Sequence, residues 1–239
     1  YAPRIIGAEA AWDRTTGKSS VLVAIIDSGV DMDHPDLVGN MVSGYDFGEG
    51  DADPNDDVVG HGTHVAGIAA AHTDNGIGIA GVGWNSKILP LKIATAAGGV
   101  PLDGAVAAIK YAADRGAKVI NMSFGGYGAP ESEREAVDYA WAKGSLLFAS
   151  SGNDGISEVS YPAGFENVIC FSGNRDGLDD EQGLENCAVG LKRLMPACEK
   201  HGVTLTMELL NSKVNHKDYM CDLSAWGAAL CSGLTTSPR

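Results

Sequence analysis

The 239-residue sequence has little positive charge and no long apolar run. No stretch reaches the roughly 18 consecutive apolar residues that a bilayer-spanning helix needs, so no membrane-embedded function is expected. The 17 basic residues stand against 31 acidic ones, for a net charge of −14, and such a surface would repel nucleic acid and anionic lipid. A basic partner or a neutral substrate fits this charge better. The chain opens on Tyr-Ala-Pro-Arg, without an export signal, so we expect either no export or a signal already removed.

Cysteine is absent from the first 164 residues and then occurs five times in the last 75. The odd count and the lack of a CxxC pair argue against a complete disulfide framework and against a zinc ribbon, so mostly buried free thiols are expected. The break in composition indicates two stretches of different character, which we place at residues 1–166 and 167–239. The cysteines are Cys170, Cys187, Cys198, Cys221 and Cys231.

Strand and helix patterns alternate along the first stretch. Short apolar runs rich in β-branched residues predict strands, and longer amphipathic or small-residue segments predict helices. Alternation at this spacing predicts an α/β fold with a parallel sheet, right-handed crossovers and flanking helices. The predicted strands cover residues 21–26, 88–93, 118–122 and 146–149, and the predicted helices cover 61–72, 102–115 and 131–143.

Polar residues follow the predicted strands at the carboxyl edge of this sheet, where α/β proteins form their sites. Asp27 ends a buried strand, His61 opens a helix 34 residues later, and Asn153 follows another strand. An orienting carboxylate, an imidazole base and an amide donor are the groups that acyl transfer requires. Each residue alone has a simpler interpretation as a turn former, a cap or a packing residue.

With their flanking residues, these positions resemble the subtilisin-like serine proteases. Ile-Asp27-Ser-Gly-Val is similar to the aspartate motif of that family, and His61-Gly-Thr-His-Val-Ala-Gly is similar to its histidine motif. Ser-Gly-Asn153 matches the oxyanion-hole asparagine, and Tyr161-Pro-Ala also has a counterpart. The resemblance covers roughly residues 1–166. It implies a secreted endopeptidase that acts on peptides or proteins, with His61 as the base, while His64 is expected to pack inside.

The resemblance also implies sites for substrate and calcium. Two segments would dock the peptide backbone and line the specificity pocket, and a loop after the histidine helix would wrap a structural calcium ion together with an aspartate. The acidic stretch 49–57 could hold a second ion, although a solvated loop is the simpler interpretation. The implied substrate-binding residues are Gly98, Gly99, Val100, Ser123, Phe124, Gly125, Gly126, Ser151 and Gly152. The implied calcium ligands are Asp36, Thr73, Asn75, Ile77 and Ile79.

The nucleophile of the family has no counterpart in the sequence. The family carries its serine within Gly-Thr-Ser-Met-Ala at the start of a buried helix, and nothing after Asn153 matches that motif. Ser224, Ser232 and Ser237 are the remaining candidates, and Ser224 is more simply interpreted as a helix cap. Without a serine, only weak residual activity is expected.

The second stretch resembles a different family. The segment from Met207 to Tyr219, with Glu208 near its start, is similar to the hydroxypyruvate isomerase branch of the xylose-isomerase-like (β/α)8 barrels. In that family Glu208 would bind a metal or abstract a proton at the end of a strand. We therefore expect a chimera, in which a cytoplasmic-type strand-helix-strand-helix segment completes or caps the protease-like sheet. Three functions stay open: a weakly active or inactive serine endopeptidase scaffold, a peptide-binding pseudo-protease, and an isomerase fragment.

Overall fold

A computed structural model of the chain describes residues 8–57, 59–150, 159–165, 167–170, 177–201 and 229–230. Six strands form one parallel sheet, as the alternating pattern predicts. They are β1 (Leu22–Asp27), β2 (Tyr45–Asp46), β3 (Lys87–Lys92), β4 (Val119–Met122), β6 (Leu146–Ala149) and β8 (Val168–Cys170). Their order in the sheet is β2-β3-β1-β4-β6-β8, which places β1 between β3 and β4. A separate antiparallel pair joins β5 (Gly126–Tyr127) to β7 (Ser160–Tyr161).

Helices cover both faces of the sheet, and the strand residues alternate accordingly. The helices are α1 (Ala8–Trp12), α2 (His61–Ala70), α3 (Leu102–Asp114), α4 (Glu131–Ala142) and α5 (Asp180–His201). On one face, Val23 and Ile25 of β1 pack with Ala66 and Ala70 of α2. On the other face, the alternate β1 residues Ala24 and Ile26 belong to a core shared with α3 and α4. Because both faces of β1 are buried, its sequence is continuously apolar until Asp27.

Helix α2 approaches the sheet closely because its inner positions are small. Gly62, Ala66, Gly67 and Ala70 are its buried residues, and their spacing defines one face of the helix. The prediction that His64 packs inside is wrong, since the structure leaves it exposed on the other side of the helix. The helix ends at Ala70 rather than at the predicted residue 72, because Ala71 adopts an extended conformation with ψ of 150°.

The described part of the second stretch contains strand β8 and helix α5. Strand β8 pairs in parallel with β6, so the chain continues the same sheet beyond residue 166. The predicted boundary between 166 and 167 stays a prediction, and the predicted strand at 203–210 lies outside the described residues. No helix in the described part of the chain is long and apolar enough to cross a membrane.

Candidate active site

The carboxyl end of β1 places Asp27 below the surface of the sheet edge. Its side chain is only 5% exposed. The Oδ1 atom accepts a hydrogen bond from the backbone N–H of Ser28 at 2.7 Å. The buried Oδ2 atom has no hydrogen-bond partner among the described residues. Oδ1 of Asp27 is therefore an acceptor in a largely dry position, where a hydrogen bond from a neighbouring donor is strong.

Helix α2 brings His61 directly over this carboxylate. The Nδ1 atom of His61 lies 2.7 Å from Oδ1 of Asp27, while the histidine side chain is 50% exposed. An ionised carboxylate can only accept hydrogen bonds, so the proton of the neutral imidazole resides on Nδ1. The Nε2 atom is then the ring nitrogen that carries a lone pair. This is the orientation that a general base requires.

Gly62 and Gly29 let the helix and the strand come this close. A Cβ atom at Gly62 would lie 2.1 Å from the carbonyl oxygen of Gly29 and 2.9 Å from Cβ of Asp27. Gly29 itself has φ of +114° and lies against the backbone of Asn55. Both positions therefore require glycine, and the glycines that flank Asp27 and His61 in the motifs have a direct steric role.

Asp56 is a site residue that sequence reasoning missed, because the acidic stretch was interpreted as a whole. Its Oδ1 atom accepts from the N–H of Gly60 at 2.9 Å, and Oδ2 accepts from the N–H and the hydroxyl of Thr63 at 3.1 and 2.8 Å. Burial raises the pKa of Asp56, but these donors and the Ser28 hydroxyl outweigh burial and lower the pKa overall. The sequence signal would have been an acid shortly before a helix that lacks a side-chain cap.

The neighbouring Asp57 anchors the same loop to the sheet. Lys92, at the end of β3, has a side chain only 6% exposed and contacts Asp57 at 2.7 Å and Asp46 at 3.2 Å. Burial lowers the pKa of Lys92, but its bonds to the two aspartates outweigh burial and raise the pKa above its ordinary value. The other acidic side chains of the stretch, Glu49, Asp51 and Asp53, are exposed. The acidic side chains of the loop are thus mostly exposed to solvent, and the contact between Asp57 and Lys92 holds its end to the sheet.

The two predicted docking segments follow the strands on either side of β1. Residues 98–100 lie in an exposed turn after β3, where the N–H of Gly98 donates to the carbonyl of Thr95 at 2.8 Å. Residues 123–126 leave β4, and only the last two are fully exposed. At Gly126 the chain pairs with Tyr161, so the Tyr-Pro motif lies beside the specificity segment. The sheet order therefore brings both segments to the edge that carries Asp27 and His61.

The loop predicted to bind calcium folds around Asp36. This carboxylate is 3% exposed; Oδ1 accepts from Nδ2 of Asn75 at 2.8 Å, and Oδ2 accepts from the N–H of Ile79 at 2.8 Å. A Cβ atom at Gly78 would lie only 1.9 Å from Oδ2 of Asp36. No group of three or more His, Cys, Asp or Glu side chains in the described residues could hold a metal. A cation here would depend on one carboxylate, an amide and backbone carbonyls, which are donors that calcium accepts.

Several predicted site residues lie outside the described residues. They are Ser151, Gly152 and Asn153, the candidate nucleophiles Ser224, Ser232 and Ser237, and Glu208 of the isomerase-like stretch. The structure thus brings together the aspartate, the histidine and the two docking segments, while the roles of the oxyanion asparagine and of the nucleophile stay predictions.

Comparison with known proteins decides the family. The sequence profile of the Subtilase family matches residues 18–232. The chain belongs to the subtilase family. It is 48% identical over 169 residues to a thermophilic serine proteinase of Bacillus sp. (strain AK1), covering 71% of this chain and 42% of that protein. It is 44% identical over 172 residues to thermitase of Thermoactinomyces vulgaris, covering 72% of this chain and 61% of thermitase.

A solved structure agrees with the assignment of this subtilase. Sphericase superimposes with a TM-score of 0.62 at 34% sequence identity, covering 73% of this chain and 62% of sphericase. The chain spans 42% and 61% of the lengths of the two relatives named above. The family profile continues to residue 232, through the stretch predicted to come from an isomerase. Nothing in these comparisons supports the isomerase resemblance or a barrel-type segment.

Proposed function

We propose that this subtilase is a serine endopeptidase scaffold whose acid–base pair is assembled for peptide-bond hydrolysis. The observation that carries the proposal is the 2.7 Å contact between Nδ1 of His61 and Oδ1 of buried Asp27. A relative named a thermophilic serine proteinase is 48% identical over 169 residues, which supports the same chemistry here.

In the proposed reaction, Nε2 of His61 removes the proton from a serine hydroxyl as the oxygen attacks the peptide carbonyl. The imidazolium that forms is stabilised by Asp27, and it then donates its proton to the leaving amine. Asn153 would donate its side-chain amide to the oxyanion, where one donor can be worth roughly 3 to 4 kcal/mol. The docking segments would hold the peptide in an extended form across the edge.

The chain offers no serine in the motif that the family uses, so we propose weak or absent turnover. Labelling with a fluorophosphonate tests this part, because the reagent modifies a serine only when a base and an oxyanion site activate it. We expect no label on any serine. Label at Ser224, Ser232 or Ser237, located by peptide mass spectrometry and lost in His61→Ala, would show an active enzyme and overturn the proposal of lost turnover.

If turnover is detectable, Asp27→Asn tests the acid–base pair. Asparagine would favour the wrong imidazole tautomer, and kcat should fall on the order of 10⁴-fold. Asp33→Asn is a matched control, since Asp33 is exposed and lies outside the pair. Equal activity of Asp27→Asn and the control would contradict the proposed role of Asp27.

A peptide-binding role without turnover is the second candidate, and the exposure of Gly98, Val100 and Gly126 favours it. Binding of an extended, uncharged fluorescent peptide can be measured in the chain and in His61→Ala. A binding module should keep its affinity in this variant, because the docking segments are unchanged. Failure of both proteins to bind the peptide would exclude this role.

Calcium is a further part of the proposal. Asp36, with the side chain of Asn75 and the carbonyls of Thr73, Ile77 and Ile79, would hold the ion, which would neutralise the buried carboxylate and fix the loop after α2. If calcium binds only the folded chain, a free calcium concentration of 100 times Kd should raise the free energy of unfolding by about 2.7 kcal/mol. The melting temperature should rise with calcium, and Asp36→Asn should remove that response while the control Asp33→Asn keeps it. An equal response in both variants would contradict the site.

We also propose that the protease-like part acts outside the cell. One relative, from Natrialba magadii, is named a halolysin-like extracellular serine protease and is 42% identical over 184 residues. Relatives named intracellular serine proteases have lower identities, 37% and 35%. Fractionation of the source cells, with detection in the medium, would test the proposal.

A further inference from the structure

The segment before His61 is held by two adjacent aspartates that serve different partners. Asp57 contacts Lys92 at the end of β3, whereas Asp56 turns toward the first turn of α2. The helix needs such a partner because its N-cap is Gly60, which has no side chain and adopts the left-handed conformation with φ of +78°. Asp56 accepts from the N–H groups of Gly60 and Thr63 and so takes the place of an N-cap side chain.

Two routes of hydrogen bonds link the start of α2 to the turn that follows Asp27, and one of them passes through Asp56. The hydroxyl of Ser28 accepts from the N–H of Gly62 at 2.9 Å, while the N–H of Ser28 donates to Asp27 at 2.7 Å. The same hydroxyl helps to lower the pKa of Asp56. The hydroxyl of Thr63 donates to Asp56 at 2.8 Å and accepts from the N–H of Asp31 at 2.9 Å.

Both routes bind the residues next to His61 to the turn that follows Asp27. Gly60 precedes the histidine and Thr63 follows it, and Asp56 accepts from the N–H groups of both. The N–H of Gly62, between them, is bonded to Ser28. We propose that Asp56 is a positioning residue for His61. Asp56 fixes the start of α2 so that Nδ1 of His61 lies within hydrogen-bond distance of Asp27. This inference rests on the proposed function for its catalytic consequence, but its structural part can be tested without any turnover.

Asp56→Asn tests the inference, because asparagine keeps the shape and replaces one acceptor oxygen by a donor nitrogen. The measurement is the proton resonance of His61 Nδ1, which reports the bond to Asp27 directly. We expect a distinct low-field signal in the parent chain and its loss or broadening in Asp56→Asn. In an active preparation, kcat should fall at least about tenfold with KM little changed, because small displacements of a catalytic group are costly.

Asp53→Asn is the matched control. Asp53 belongs to the same loop, is exposed and, among the described residues, accepts only from the N–H of Asn55 at 3.2 Å. Removing the same charge there should leave the His61 signal unchanged. An unchanged signal in both variants would overturn the inference, and a loss in both would show that loop charge, rather than the network, is responsible.

A second pair of variants keeps the test decisive if Asp56→Asn does not fold. Thr63→Ser keeps the hydroxyl that bridges Asp56 and Asp31, whereas Thr63→Val has a similar shape without it. We expect the His61 signal to survive in Thr63→Ser and to weaken in Thr63→Val. Equal signals in the two would contradict the positioning role. A normal His61 signal with no serine labelled by fluorophosphonate would count against turnover and leave the positioning inference standing.

Discussion

Glycine has different roles beside His61 and in the proposed docking segment 123–126, although both lie at the same edge of the sheet. At Gly62, beside His61, an added Cβ atom would lie 2.1 Å from a backbone oxygen. At Gly126, in the proposed docking segment, it would meet no atom of the described residues within 4 Å. The first glycine allows two parts of the protein to touch, and the second leaves room for a molecule from outside. An acid–base pair needs fixed, dry contacts, whereas a peptide-docking strand must leave backbone accessible.

The largest effect that follows from this contrast is expected for Gly62→Ala. The new methyl group would force α2 away from the carbonyl of Gly29 and from Asp27, and overpacking of this kind costs roughly 1 to 3 kcal/mol, here toward the upper end. The free energy of unfolding, measured by denaturant titration, should fall by about 3 kcal/mol. Activity or fluorophosphonate labelling, where present, should be lost with it.

Gly67→Ala is the control within the same helix. Its Cβ atom would meet only Cδ1 of Ile79 at 3.6 Å, which is an ordinary contact. Alanine is the better helix former, so this variant should gain roughly 0.5 to 1 kcal/mol. If Gly62→Ala were as stable as Gly67→Ala, the close approach of helix and strand would not be the reason for glycine at position 62.

A smaller effect is expected for Gly126→Ala on the docking side. Because the site around Gly126 is open, the melting temperature should stay the same, while the methyl group should obstruct a docked peptide. A loss of affinity of about tenfold corresponds to about 1.4 kcal/mol, and it can be measured by peptide titration in the His61→Ala background. Gly39→Ala is the control, since it is equally open and lies elsewhere. Unchanged affinity in Gly126→Ala would remove this segment from the docking surface.

Sequence reasoning identified the Asp27–His61 pair because short-range patterns encode it. The apolar run of β1 must be buried on both faces and must stop at a polar residue, so Asp27 at the sheet edge could be predicted from period and length alone. The helix that begins at His61 carries small residues at helical spacing, so its packing against the sheet could also be predicted. The family resemblance then supplied the roles, and the comparisons confirm the family.

The supporting network could not be predicted in the same way. Asp56 and Asp57 are identical and adjacent, and only the folded loop shows that one caps α2 while the other contacts Lys92. The exposure of His64 depends on which face of α2 meets the sheet, which the motif alone does not state. The isomerase resemblance rests on local sequence likeness, and the comparisons with known proteins do not support it.

The smallest expected effect concerns Glu133, a buried acid of helix α4 whose surroundings contrast with those of Asp56. Glu133 lies in the first turn of α4 and is 5% exposed, and burial raises its pKa above the ordinary value of 4.5. Asp56 is different, since its donors outweigh burial and lower its pKa. An acid with a raised pKa binds its proton more strongly in the folded chain than in the unfolded chain. The contribution of Glu133 to stability is therefore fully present below pH 4.5 and is lost as pH rises through its pKa in the folded chain.

Glu133→Gln removes this penalty, because a neutral amide of the same size does not ionise. The variant should therefore be more stable than the parent at pH 7, by less than the Gly62 effect, and the difference should vanish below pH 4.5. Unfolding by urea at the two pH values measures it, with Glu135→Gln as the control, since Glu135 is exposed on the same helix. If the gain in stability persists at low pH, the charge of Glu133 is not its cause. The contrast with Asp56, whose charge is stabilised by hydrogen-bond donors, would then be wrong.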